Sequence, residues 1–152
     1  MAWNWDGVAF RILSPSDGQQ FALKSSNNRS CVLLISYREQ HILLPGDIER
    51  TAERELLGEK LPVMTLLVAP HHGSKTSSSK RFLAAIQPQH VVFSAGYRHH
   101  FGHPHAEVVT RYQSLGAKQW NTATSGAVIF SWDEQGLLQV SEARHRWRRY
   151  WF

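Results

Sequence analysis

The sequence predicts an α/β layered domain with a mixed sheet, and three observations carry that expectation. Short apolar runs alternate with segments of helical spacing through the middle of the chain. A hairpin-like pair of runs precedes them and antiparallel-looking runs follow, which mixes strand directions. The 152 residues suit a single domain, 1–152, with no linker and no internal repeat.

Each element has a local reason. Residues 8–13 alternate apolar and other side chains and stop at Ser14-Pro15-Ser16-Asp17-Gly18, a strand entering a turn. Residues 31–35 and 41–44 read as strands around the turn Tyr37-Arg38-Glu39-Gln40. Over 48–57, Ile48, Ala52, Glu55 and Leu56 fall at helical spacing, and Gly58 ends the helix. Residues 64–68 form another buried strand, which runs into His71-His72. Ser79 caps a helix over 80–86 that must stop before Pro88. Residues 91–93 are a strand, 97–104 a loop, and 105–115 a helix with Pro104 near its first turn and Gly116 past its end. Strands at 120–122, 127–132 and 137–140 close the chain.

Composition narrows the function classes. A formal charge of +5 suits a polyanionic partner such as nucleic acid, or an anionic membrane surface, and six Trp argue for a core with large aromatic pieces or for a docking surface. No apolar run approaches the roughly 18 residues of a membrane helix, and no signal peptide opens the chain, so a soluble chain is expected. The single cysteine excludes a disulfide framework, and Cys31 reads as a small buried hydrophobe.

The chemistry concentrates in a few motifs. Asp47, after Gly46, reads either as a helix N-cap or as a carboxylate ligand for a divalent metal at a strand end. His71 and His72 end an apolar run; on an extended segment they would point to opposite sides, so one would ligate and the other face substrate. His72 is favoured slightly, because Gly73 lets the backbone approach closely. Ser74, Lys75, Thr76 and Ser77 offer hydroxyls and a cation for a phosphate, or else form a capping loop. His99, His100, His103 and His105 crowd four imidazoles into seven residues, a density that favours a metal or phosphate site; His103 also reads as an N-cap before Pro104. Asn27-Asn28-Arg29-Ser30 reads as a turn. The tail 144–152 interleaves Arg with Trp, Tyr and Phe, as a chain that stacks on bases, lies at a membrane interface or folds back would.

Taken in order, these motifs resemble the C-terminal metallo-β-lactamase-like domain of the ComEC family of bacterial DNA-uptake channel proteins. The segments that carry the resemblance are Trp5-Asp6-Gly7-Val8, Asn27-Asn28-Arg29-Ser30, Leu44-Pro45-Gly46-Asp47, Pro70-His71-His72-Gly73-Ser74-Lys75-Thr76-Ser77, Phe101-Gly102-His103-Pro104-His105 and Thr124-Ser125-Gly126. The resemblance covers nearly the whole chain.

It implies a partial αβ/βα sandwich with a divalent metal, zinc or manganese, at the rim between two sheets. Asp47 matches the family's late aspartate ligand and the His71-His72 pair its last histidine ligand; Asp47 and His72 would be the catalytic positions. Ser74, Lys75, Thr76, Ser77, His103 and His105 would bind substrate. The implied activity is phosphodiester hydrolysis on single-stranded DNA, with no small-molecule cofactor. The implied partners are the N-terminal half of the domain and a membrane channel domain of a parent protein in the bacterial inner membrane. The family's early His-x-His-x-Asp-His motif does not occur here, and the chain resembles the C-terminal half or so of the domain, starting at Met1. The expectation is therefore weak metal binding, no hydrolysis by this chain alone, and an exposed apolar sheet face. A contrasting reading is a metal-free DNA- or membrane-docking module that uses the basic surface and the Arg/Trp tail.

Overall fold

The computed structural model describes residues 1–15, 25–97 and 101–146. Nine strands lie among the described residues. Seven form one sheet in chain order: β1 (Ala2–Trp5), β2 (Val8–Ser14), β3 (Val32–Tyr37), β4 (Gln40–Leu44), β5 (Leu66–Val68), β6 (His90–Phe93) and β7 (Lys118–Asn121). β1 to β4 run antiparallel to their neighbours, and β4 to β7 run parallel. Strands β8 (Val128–Trp132) and β9 (Leu138–Glu142) pair with each other as a separate antiparallel hairpin. The helices are α1 (Arg50–Leu56), α2 (Lys80–Ile86), α3 (Ala106–Ser114) and two single turns, α4 (Thr122–Ser125) and α5 (Ala143–Arg146). This is the mixed α/β layering that the sequence predicts.

Parallel neighbours need a crossover, and α1, α2 and α3 supply it between β4 and β7. They bury Ala52 and Leu56, then Phe82, Leu83 and Ile86, then Val108 and Tyr112, in one cluster with Val32, Leu34, Leu43, Leu67, Val91 and Phe93 of the sheet. Side chains alternate across a strand, so the other face is also apolar: Trp3 opposes Phe10, Phe10 opposes Ile35, Ile35 opposes Ile42 and Ile42 opposes Leu66. The hairpin covers the β6–β7 end of that face with Phe130. The β1 end stays open, with Trp3 42% and Trp5 67% exposed.

Several expectations change. β1 was absent from the predicted strands. Four residues give too short an alternation, and the strand exists through a two-residue Asp6-Gly7 turn with positive φ at both positions (47° and 78°). The strand expected at 120–122 starts at Lys118 and joins the main sheet in parallel, rather than the closing antiparallel set. Cys31 is exposed, not buried: β3 begins one residue later, and its parity sends Val32 and Leu34 to the core. His99, His100, residues 16–18 of the expected turn and residues 147–152 of the tail lie outside the described residues. Among the described residues no helix is long and apolar enough to cross a membrane.

Candidate functional site

In a parallel sheet, the loops after successive strands emerge at one edge, the carboxyl end, where ligands of open α/β sheets collect. Here those loops are 45–49 after β4, 69–79 after β5 and, among the described residues, 94–97 and 101–105 after β6. They carry Asp47, then His71 and His72, then His103 and His105. Three backbone bonds tie the loops together: His71 N–H donates to Gly46 O (3.0 Å), His105 N–H to Gly73 O (3.1 Å) and Arg50 N–H to Thr76 O (3.0 Å).

Two glycines permit this closeness. Gly46 has φ +61°, and a Cβ there would stand 2.8 Å from Ser30 Cβ. Gly73 has φ +84°, and its Cβ would meet Pro104 Cβ at 2.7 Å and Phe93 Cδ1 at 2.9 Å. Contacts this short leave no room for any side chain.

Asp47 does not cap α1. The N-cap position is Glu49, which makes no side-chain capping bond, and the Asp47 carboxylate faces His72, with Oδ1 3.6 Å from Nε2. The segment carrying His71 and His72 is a tight turn rather than an extended strand end, and both residues are left-handed (φ 49° and 56°). The strand rule that adjacent side chains diverge therefore fails. Ring centroids of the pair are 6.4 Å apart, and His103 lies 5.8 Å from His71 and 6.4 Å from His72. His71 Nδ1 faces Glu49 Oε1 at 3.8 Å and Thr76 Oγ1 at 3.5 Å. His103 also packs against Phe101 and His105, at 6.0 and 5.1 Å between centroids. His105, not His103, holds the N-cap position of α3, again without a side-chain capping bond. A cavity of about 140 Å³ opens beside the cluster, lined by His72, Ser94, Ala95, Gly96 and His103.

The hydroxyl-rich loop divides in two. Lys75 and Thr76 are exposed. Ser77 is fully buried, and its hydroxyl donates to Pro70 O (2.8 Å) and Ser74 O (3.0 Å). Ser74 is buried, with its hydroxyl 3.2 Å from that of Thr76. These two hydroxyls shape the turn that presents His71 and His72.

Four positioning residues escaped the sequence reading. Ser30 Oγ accepts from Asp47 N–H (3.1 Å), and Asn28 Oδ1 accepts from Glu49 N–H (2.8 Å). The supposed turn 27–30 is thus a short 3₁₀ segment that shapes the Asp47 loop from a distance in sequence. Glu49 differs, since its place two residues after Asp47 was a readable hint. Glu53, fully buried on α1, accepts backbone N–H bonds from Ser78 and from Ser79 (2.9 Å). Burial pushes its carboxyl above the usual carboxylate value, against the pull of its bonds to Ser79 and Ser78 and of Arg50. Ser78 Oγ also meets the Tyr112 hydroxyl (2.9 Å), and Arg111 donates to Ser77 O and Ser78 O.

The donor set can be weighed against a metal. Ligands at about 2.0–2.1 Å on a tetrahedral zinc stand roughly 3.3 Å apart, near the Asp47–His72 separation, but zinc takes three or four protein ligands. Among the described residues no group of three or more His, Cys, Asp or Glu is placed to hold a metal ion. The pair suits two vertices of a metal site, and the described residues do not complete one.

Fold and rim together define an α/β domain with an acid–histidine cluster at the carboxyl ends of its parallel strands. No protein-family model matches the chain. Among curated proteins it is similar to Competence protein ComA of Neisseria gonorrhoeae, 36% identical over 137 residues (89% of this chain, 19% of the relative). It is also similar to Recombination protein 2 of Haemophilus influenzae, 33% identical over 142 residues (93% and 17%), and to ComE operon protein 3 of Bacillus subtilis, 29% identical over 124 residues (81% and 16%). These three relatives, one of them named for competence, match 81–93% of this chain, while the chain spans at most about a fifth of their length.

Proposed function

We propose that this chain acts in DNA uptake, as the C-terminal portion of a metallo-β-lactamase-like domain in a competence protein. Similarity to Competence protein ComA over 89% of the chain supports the first part. The observation that carries the second is the Asp47–His72 pair, 3.6 Å apart on a rim shared with His71 and His103. In this reading the pair is the chain's share of a divalent zinc or manganese site, and further ligands come from residues beyond these. Single-stranded DNA runs past the rim, with Lys75, Thr76, His103 and His105 toward its phosphates. The membrane channel domain of a longer inner-membrane protein delivers it. On its own the chain binds metal weakly and hydrolyses nothing, because two ligands leave the ion mostly hydrated.

The test is calorimetric titration of the purified chain with zinc and with manganese, beside Asp47→Ala and His72→Ala. Weak binding that both substitutions abolish supports the shared site. Binding that survives both substitutions, or none at millimolar metal, removes it and leaves the metal-free docking reading. That reading then requires DNA binding that weakens with salt and survives chelation.

A further inference from the structure

A second cluster lies at the opposite ends of the same strands. His90 opens β6, is 7% exposed, and lies opposite Lys118 in the parallel register with β7. Trp120 Nε1 donates to His90 Nδ1 at 3.2 Å, and the two rings stack with planes 11° apart and centroids 6.2 Å apart. Phe130 of β8 stands edge-on to both, 5.7 Å from His90 at 85° and 6.0 Å from Trp120 at 87°. Phe130 of the hairpin therefore rests on the His90–Trp120 pair.

The hydrogen bond dictates the protonation state. An indole N–H only donates, so Nδ1 must present a lone pair and the imidazole proton must sit on Nε2. The surroundings agree. Opposite His90, β5 presents Leu66 and β8 presents Phe130; the segment before β6 contributes Gln87 and Gln89 beside the ring's groove. Lys118, from β7, brings the charge in this set. Burial first, and Lys118 second, hold His90 below the ordinary histidine range.

We propose that His90 and Trp120 form a proton-sensitive clasp for the β8–β9 hairpin. A solvent proton taken up at Nδ1 sets two N–H donors against each other. The stacked pair separates, Phe130 loses its platform, and the hairpin loosens from the apolar face it covers. The clasp is closed at neutral pH and opens on acidification. Between 6.5 and the lowered value, the opening constant rises about tenfold per pH unit, because the open form binds one more proton. None of this depends on the rim site.

The experiment is nitrogen-edited NMR of the imidazoles in the whole chain from pH 8 to 4.5, with amide hydrogen exchange of 128–132 and 138–142 over the same range. Expected are an Nε2–H tautomer at pH 8, a His90 titration below 6.5, and hairpin exchange, corrected for its intrinsic pH dependence, that accelerates along that titration. His90→Gln keeps an acceptor for Trp120 and cannot titrate, so the pH-dependent step disappears. A proton on Nδ1 at pH 8, a His90 titration at or above 6.5, or a hairpin step unchanged in His90→Gln overturns the clasp. Should that variant not fold, the tautomer and titration in the unsubstituted chain decide alone.

Discussion

Replacing Glu53 tests how the rim is built. Its carboxylate is fully buried and accepts the backbone N–H groups of Ser78 and Ser79, which join the histidine loop to the start of α2. Glu53→Ala leaves the Ser78 N–H, on a residue with 0% exposure, without a partner, at about 1–3 kcal/mol. The Ser79 N–H, partly exposed, recovers a water and loses about 1 kcal/mol. Together these come to about 2–4 kcal/mol, and the desolvation energy returned with the buried carboxylate moves the net toward the lower end of that range. For a chain of this size that lowers the melting temperature by about 4–16 °C. Glu53→Gln keeps one acceptor but turns an amide N–H₂ toward the other donor, and falls between the two.

The pH dependence has a definite sign. Burial raises the folded-state pKa of Glu53 above its value in the unfolded chain, so the folded state holds its proton longer. The contribution is full below the unfolded pKa and declines as the pH rises through the folded one. The stability of the native chain relative to Glu53→Gln therefore decreases as the pH climbs from about 4.5. Thermal melts followed by circular dichroism between pH 4 and 8, with amide exchange at residues 78 and 79, measure both effects. A Glu53→Ala melt within 1 °C of the native chain, or unchanged protection at those amides, refutes the argument.

Other substitutions separate scaffold from site. Gly73→Ala places a Cβ 2.7 Å from Pro104 at φ +84°, and urea unfolding will register a loss of about 2–4 kcal/mol. Phe82→Ala empties a fully buried position of the helix layer and costs about 3–5 kcal/mol in the same assay. Tyr112→Phe strands the buried Ser78 hydroxyl for about 1–2 kcal/mol. Asp47→Asn, at a side chain 45% exposed, stays within about 0.5 kcal/mol in stability while metal titration loses its signal, which separates the rim's function from its fold.

Local features made most of the layering legible. The period-2 and period-3.6 runs, Ser79 before α2, and Gly116 after α3 marked elements that the structure contains, α2 with the same limits. Glycine after His72 marked close approach, because a missing Cβ is a property of the residue itself. Pairing and parity escaped. β1 depends on β2 for its ladder, the 118–121 segment chose a parallel neighbour over an antiparallel one, and Cys31 fell outside because β3 starts one residue late.

The rim divides the same way. Its residue types were visible in sequence: an acid at the end of β4, a histidine pair after β5 and more histidines after β6. Which of them meet was decided by three-dimensional contact. A left-handed turn brings His71 and His72 to the same His103, and Ser30 and Asn28 shape the Asp47 loop from about 20 residues upstream. Glu53 reaches across from another helix to hold the serine loop. Sequence alone determined periodicity, charge and the supply of donors, because these belong to each residue and its near neighbours. The tertiary structure alone decided their distances, burial and protonation, because those come from groups that only the folded chain brings together.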